Sequence, residues 1–209
     1  LWCFAWKTNE WTKILEEGPP QAFGGLAFDP VGDRFLLTGG MAQAETVAWD
    51  NPQCLFQALY EDGTVEDLSE CDNVGALPYS RLGHASIVDW NQARIWVHGG
   101  ATADGADSDL WSYSLEDGQW SEVSLSPDGG PGRYGHNIYL REQGDLLVTG
   151  GFSGLVQLID SASGQVSTVA VVPFSALPLA TGVYDVHSSC RMLASSPKTA
   201  LLGLVAGEV

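Results

Sequence analysis

Two short stretches, RLGH at 81–84 and RYGH at 133–136, set an arginine three residues before a histidine. Arginine offers a planar fork for a carboxylate, and histidine can accept or donate a proton near neutral pH. That pairing could serve acid–base chemistry, but it occurs twice with one spacing. A reaction centre rarely needs two equivalent copies, so repetition assigns Arg81, Arg133, His84 and His136 to structure first. His98 stands before a glycine pair where two other copies of the same pattern have Thr38 and Thr149, and His187 stands alone.

Other candidate motifs fail on context. GPGRYG at 130–135 has dinucleotide-loop glycine spacing, but the apolar run HNIYL follows it where a helix is needed. GFSG at 151–154 is one residue short of a nucleophile elbow. DGADSD at 104–109 carries three carboxylates without the Gly and Glu positions of an EF-hand. Cys3, Cys54, Cys71 and Cys190 form no C-x-x-C pair and show no zinc spacing. The expectation is no catalytic residue, no metal and no cofactor. Free thiols point to a reducing, intracellular setting, with Cys54 and Cys71 close enough in sequence to pair locally.

Charge narrows the partners. Nine Lys and Arg against 26 Asp and Glu give a net charge of −17. Nucleic acid and anionic lipid need the opposite sign. No apolar run approaches the roughly 18 residues of a bilayer span. A basic protein partner fits this charge, as does plain solubility. The connection at 69–80 is unusually long, and long ordered loops often carry function. Glu70, Asp72, Asp104 and Asp107 on loops, with Arg81 and Arg133 set deeper, form the candidate partner-binding set.

These residues are positioned by a repeat. RFLLTGG at 34–40, RIWVHGG at 94–100 and LLVTGG at 146–151 are alternating apolar runs closed by Gly39–Gly40, Gly99–Gly100 and Gly150–Gly151. Alternation marks β-strands, and glycine admits positive φ where a chain must turn. Gly40, Gly100 and Gly151 are spaced by 60 and 51 residues, the range of propeller or solenoid repeats. Trp111 and Trp120 in DLWSYSLEDGQW match Trp2 and Trp11 near the N-terminus at an offset of 109. Alternating runs fall at 22–28, 34–39, 45–49 and 64–68; at 84–89, 94–98, 109–115 and 119–124; at 135–140, 145–149, 155–160 and 165–171; and near 181–186 and 200–205.

The order Arg-x-Gly-His, apolar strand, Gly-Gly, Asp-Leu-Trp-x-Tyr, Trp resembles the kelch repeat. Residues 81–124 carry nearly all of it, and 133–169 carry most. The resemblance implies an all-β, kelch-type β-propeller of four-stranded antiparallel blades in one domain. Blades would span 22–68, 81–124 and 133–171, with the outer half of a blade at 1–14 and an inner half at 180–207. Three full blades and two halves read as an open arc or fragment. Pairing of strand 1–6 or 9–14 with 200–205 would instead close a four-bladed ring. The family's commonest use implies a non-catalytic protein-interaction or scaffold module, such as a subunit of an assembly. Kelch-like oxidases and lyases are the enzyme alternative, and a structural filler without a binding face is the third.

Overall fold

The computed structural model describes residues 2–5, 7–13, 24–29, 31–40, 56–69, 78, 81–102, 104–151, 153–171, 191–194 and 202–205. Sixteen strands and no helix occur among them. Sheet one joins β3 (Gly25–Asp29), β4 (Arg34–Thr38), β5 (Phe56–Tyr60) and β6 (Val65–Asp67). Sheet two joins β7 (Ala85–Asp89), β8 (Arg94–Thr102), β9 (Gly105–Ser114) and β10 (Trp120–Val123). Sheet three joins β11 (His136–Leu140), β12 (Leu146–Gly150), β13 (Ser153–Ile159) and β14 (Val166–Val171). Each is an antiparallel meander in sequence order, and together they form an open, propeller-like arrangement.

The chain ends carry two smaller sheets. β1 (Trp2–Ala5) pairs with β2 (Glu10–Lys13), and β15 (Arg191–Ala194) pairs with β16 (Leu202–Val205). The pairing that would clasp the two ends into a four-bladed ring is absent among the described residues, where β16 pairs with β15.

Alternation explains how the sheets stack. Ala27, Leu36, Phe56 and Ala58 of sheet one meet Val88, Ile95, Val97, Trp111 and Tyr113 of sheet two. The other face of sheet two sends Ala85, Trp96 and Leu110 against Ile138, Leu146, Val148 and Ile159 of sheet three. Sheet two is therefore apolar on both faces. Ile95, Leu36, Leu110, Leu146 and Val148 are fully buried. Removing each from water contributes roughly 1.5–3 kcal/mol. Phe56 meets Tyr113 and Trp120 edge-on, with centroids 4.6 and 5.2 Å apart, which fills the wedge between sheets one and two.

Two expected runs fall outside the described residues. The third strand of sheet one is Phe56–Tyr60, whereas the expected 45–49 falls outside the described residues. ETVAW and FQALY alternate equally well, so pattern alone could not separate them. The strand that pairs with β16 is Arg191–Ala194, and the run expected near 181–186 lies outside the described residues.

The glycine pairs were expected to end their strands. All six glycines have positive φ, from 54° at Gly39 to 110° at Gly100. In β8, however, the strand runs on to Thr102. Gly99–Gly100 instead makes a bulge, the register slipping between His98 and Gly100. The slip turns the backbone of Gly100 toward the neighbouring sheet.

Candidate functional site

The repeat residues converge on the seams between sheets. At the first seam the Gly40 amide donates to the Arg81 carbonyl at 3.0 Å, and at the second the Gly100 amide donates to the Arg133 carbonyl at 2.7 Å. A Cβ on Gly39 would stand 2.8 Å from the Arg81 carbonyl oxygen, and one on Gly99 2.9 Å from that of Arg133. Glycine is required at both places because the next sheet's backbone occupies the space of a side chain.

Imidazoles close the same seams. Thr38 Oγ1 lies 2.7 Å from His84 Nε2, and His98 Nδ1 lies 2.9 Å from His136 Nε2. The His98 and His136 rings meet edge to face with centroids 4.9 Å apart. All three histidines are buried. Burial, with the Arg81 charge next in importance, lowers the His84 pKa to about 3. Burial and the Arg133 charge lower that of His136 to about 4, and burial beside His136 holds His98 well below its ordinary range. These are neutral hydrogen-bonding groups at physiological pH.

The two arginines, alike in sequence, differ in partner. Arg81 grips Asp109 with two hydrogen bonds of 2.6 and 2.7 Å and also donates to the Gly99 carbonyl at 2.8 Å. Asp109 further accepts from Trp111 Nε1 at 2.5 Å. Arg133 meets no such carboxylate among the described residues. Its guanidinium donates to the Leu155 carbonyl at 2.7 Å, to the Gly150 carbonyl at 3.3 Å and to Gln157 Oε1. Arg133 Nε has no partner among the described residues, and burial lowers its pKa to about 10. Both arginines are therefore closed inside the fold.

The remaining candidates are scattered. Asp104 is exposed. The Asp107 carboxylate accepts from the Ser108 and Asp109 amides, and its carbonyl accepts from the Arg133 amide at 2.8 Å, so it shapes its loop. Glu70, Asp72, Cys54, Cys71, Cys190 and His187 lie outside the described residues. Gly150 and Gly151 close β12; a Cβ on Gly151 would meet His136 Cβ at 2.7 Å. Trp111 is buried, Trp120 is half-buried, and Trp11 is 66% exposed. Among the described residues no three His, Cys, Asp or Glu side chains converge as metal ligands.

Sequence reasoning missed Gln157 and one concave surface. The innermost strands end on a groove of about 450 Å³, whose walls include Leu26, Phe28, Ile87, Trp90 and Leu140. Gln157 takes the place on β13 that Trp111 takes on β9: the strand registers Val97↔Trp111 and Val148↔Gln157 are equivalent. The signal for it was Leu155 standing where Asp109 would recur.

No protein-family profile matches the chain. Among solved structures, that of YjhT is similar over 77% of this chain, with a TM-score of 0.57 and 18% identity. The chain spans 55% of the length of YjhT. At that identity the likeness concerns the fold.

Proposed function

We propose that the chain is a non-catalytic protein-interaction module of kelch type, acting as a scaffold or subunit in a larger assembly. The observation that supports this is the equivalent use of Gly-Gly, Arg and His at both seams. The groups best suited to chemistry are buried in sheet-to-sheet contacts, while many carboxylates are exposed on the turns. A partner with basic character suits a net charge of −17.

The test is isolation of the tagged protein from its own cells under mild crosslinking, followed by reconstitution with the purified candidate partner. The expected result is one protein bound at fixed stoichiometry and recovered in the reconstituted complex. A monomer with no reconstitutable partner, or one carrying a stoichiometric redox metal with turnover, would overturn the reading.

A further inference from the structure

β3, β7 and β11 stand side by side, with β7 between the other two. At their C-terminal ends lies the apolar groove. Leu26 is 51% exposed, Phe28 41% and Trp90 63%. Single exposed apolar residues are ordinary, but three large ones around one concavity mark a contact surface. Trp90 stands on the β7–β8 turn and is not needed to fill either core cluster.

The exposed charges around this groove are mostly acidic, although Arg141 stands on its wall beside Glu142. In a four-stranded meander the first-to-second and third-to-fourth turns lie at the same end of the sheet. On those turns Asp33, Asp62, Glu116, Asp117, Glu142 and Asp160 are all exposed. The arginines at this edge are already engaged. Arg34 pairs with Asp29 at 3.1 Å and Arg141 with Asp145 at 3.6 Å, while Arg94 donates to the Ser112 hydroxyl at 3.1 Å. The edge therefore presents an apolar groove inside an acidic rim. Phosphate-bearing ligands are repelled by that rim, and a purely solvated edge would not leave Leu26, Phe28 and Trp90 bare together.

We propose that this edge binds a basic peptide segment of a partner protein, an apolar side chain entering the groove while lysines or arginines meet the acidic turns. The inference rests on the interaction reading above and narrows it to one edge, opposite the one that carries Asp104. Charge complementarity commits the occupant: a neutral segment gains the groove without the rim's attraction, and an acidic one meets its repulsion.

The experiment uses the whole protein and three fluorescein-labelled 14-residue peptides, alternating Lys/Leu, Lys/Ser and Glu/Leu, read by anisotropy. The Lys/Leu peptide is expected to bind at least tenfold tighter than Lys/Ser, and Glu/Leu not at all. Trp90→Ser with Leu26→Ser should weaken Lys/Leu binding about tenfold without lowering the melting temperature. Asp117→Lys with Glu142→Lys should weaken it and flatten its salt dependence. Asp104→Lys with Asp128→Lys, at the other edge, should leave it unchanged. Loss of binding through that last pair alone would overturn the groove assignment while leaving the interaction reading intact. No binding of any peptide, equal binding by the groove variant, or self-association through Trp90 in sedimentation would also overturn it. The interaction reading falls separately, by failure of the reconstitution described above.

Discussion

The Gly100 amide reaches the Arg133 carbonyl at 2.7 Å, across the seam between sheets two and three. The bond exists because Gly100 holds φ at 110°, a conformation closed to residues with a side chain. The same relation joins Gly40 to Arg81 at the preceding seam. At each seam one of the docking backbone bonds thus has a geometry that depends on a missing side chain.

Gly100→Ala should cost about 2–4 kcal/mol, since its Cβ would also stand 3.0 Å from His84 Cβ and 3.1 Å from Arg81 Cβ. Gly105→Ala is the control. Its φ is 122° but its Cβ would meet nothing within 4 Å, so only the backbone cost of about 1–2 kcal/mol remains. Urea unfolding of both variants measures the difference. Equal losses would mean that close approach at the seam contributes nothing.

Acid should weaken the fold through its histidines. Their folded pKa values lie below 6.5, at about 3 for His84 and about 4 for His136, whereas an unfolded imidazole takes up its proton near 6.5. Stability is therefore fully present above pH 6.5 and falls as pH drops toward 4 and then 3, by up to about 1.4 kcal/mol per unit for each histidine. Between pH 6.5 and 5, His98→Thr, the residue found at positions 38 and 149, should remove one proton from the slope. Denaturant midpoints at half-unit steps check this, and an unaltered slope would contradict it.

Among the described residues Arg133 meets no counterpart of the carboxylate that Arg81 has in Asp109. Leu155→Asp supplies one at the aligned position on β13 and should stabilise the protein by about 1–2 kcal/mol. Asp109→Leu, the reverse exchange, should destabilise by about 3–5 kcal/mol by leaving Arg81 buried without its counter-charge. Calorimetric melting of the two variants is the measurement. A lower melting temperature for Leu155→Asp would show that the carbonyl and amide partners already suffice.

Ile95 is fully buried between sheets one and two. Ile95→Ala should cost about 2–5 kcal/mol. Val31, 77% exposed on a turn, should tolerate serine within about 0.5 kcal/mol. Chemical denaturation distinguishes them, and a Val31→Ser loss comparable to that of Ile95→Ala would mean Val31 is covered in the native protein.

Much of this architecture is legible because the repeat signals are local. RIWVHGG and LLVTGG carry alternation and a glycine pair within seven residues, which is enough to place β8 and β12. The third strand of sheet one was illegible because two equally alternating runs compete after Gly40, and only pairing across β4 decides between them. Arg81 and Arg133 read alike, since the shared Arg, Gly and His say nothing of what each guanidinium meets 22 to 28 residues later. The groove escaped because Leu26, Ile87, Trp90 and Leu140 come from three repeats and share no motif. DWNQA reads only as a turn, and its tryptophan acquires meaning when two other turns arrive beside it.

One property of the seams reaches beyond any single contact. Each docking set, Gly40 with Arg81 and Thr38 with His84, or Gly100 with Arg133 and His98 with His136, joins only adjacent sheets. Coupling along the stack is then nearest-neighbour, as in a one-dimensional chain of units. A lesion at one seam has a short correlation length: it loosens the two sheets it joins and leaves the other joint whole. The two joints also differ in chemistry, hydroxyl to imidazole at one and imidazole to imidazole at the other. The second is the natural fracture plane under acid, where the stack would part between sheets two and three while sheets one and two stay docked.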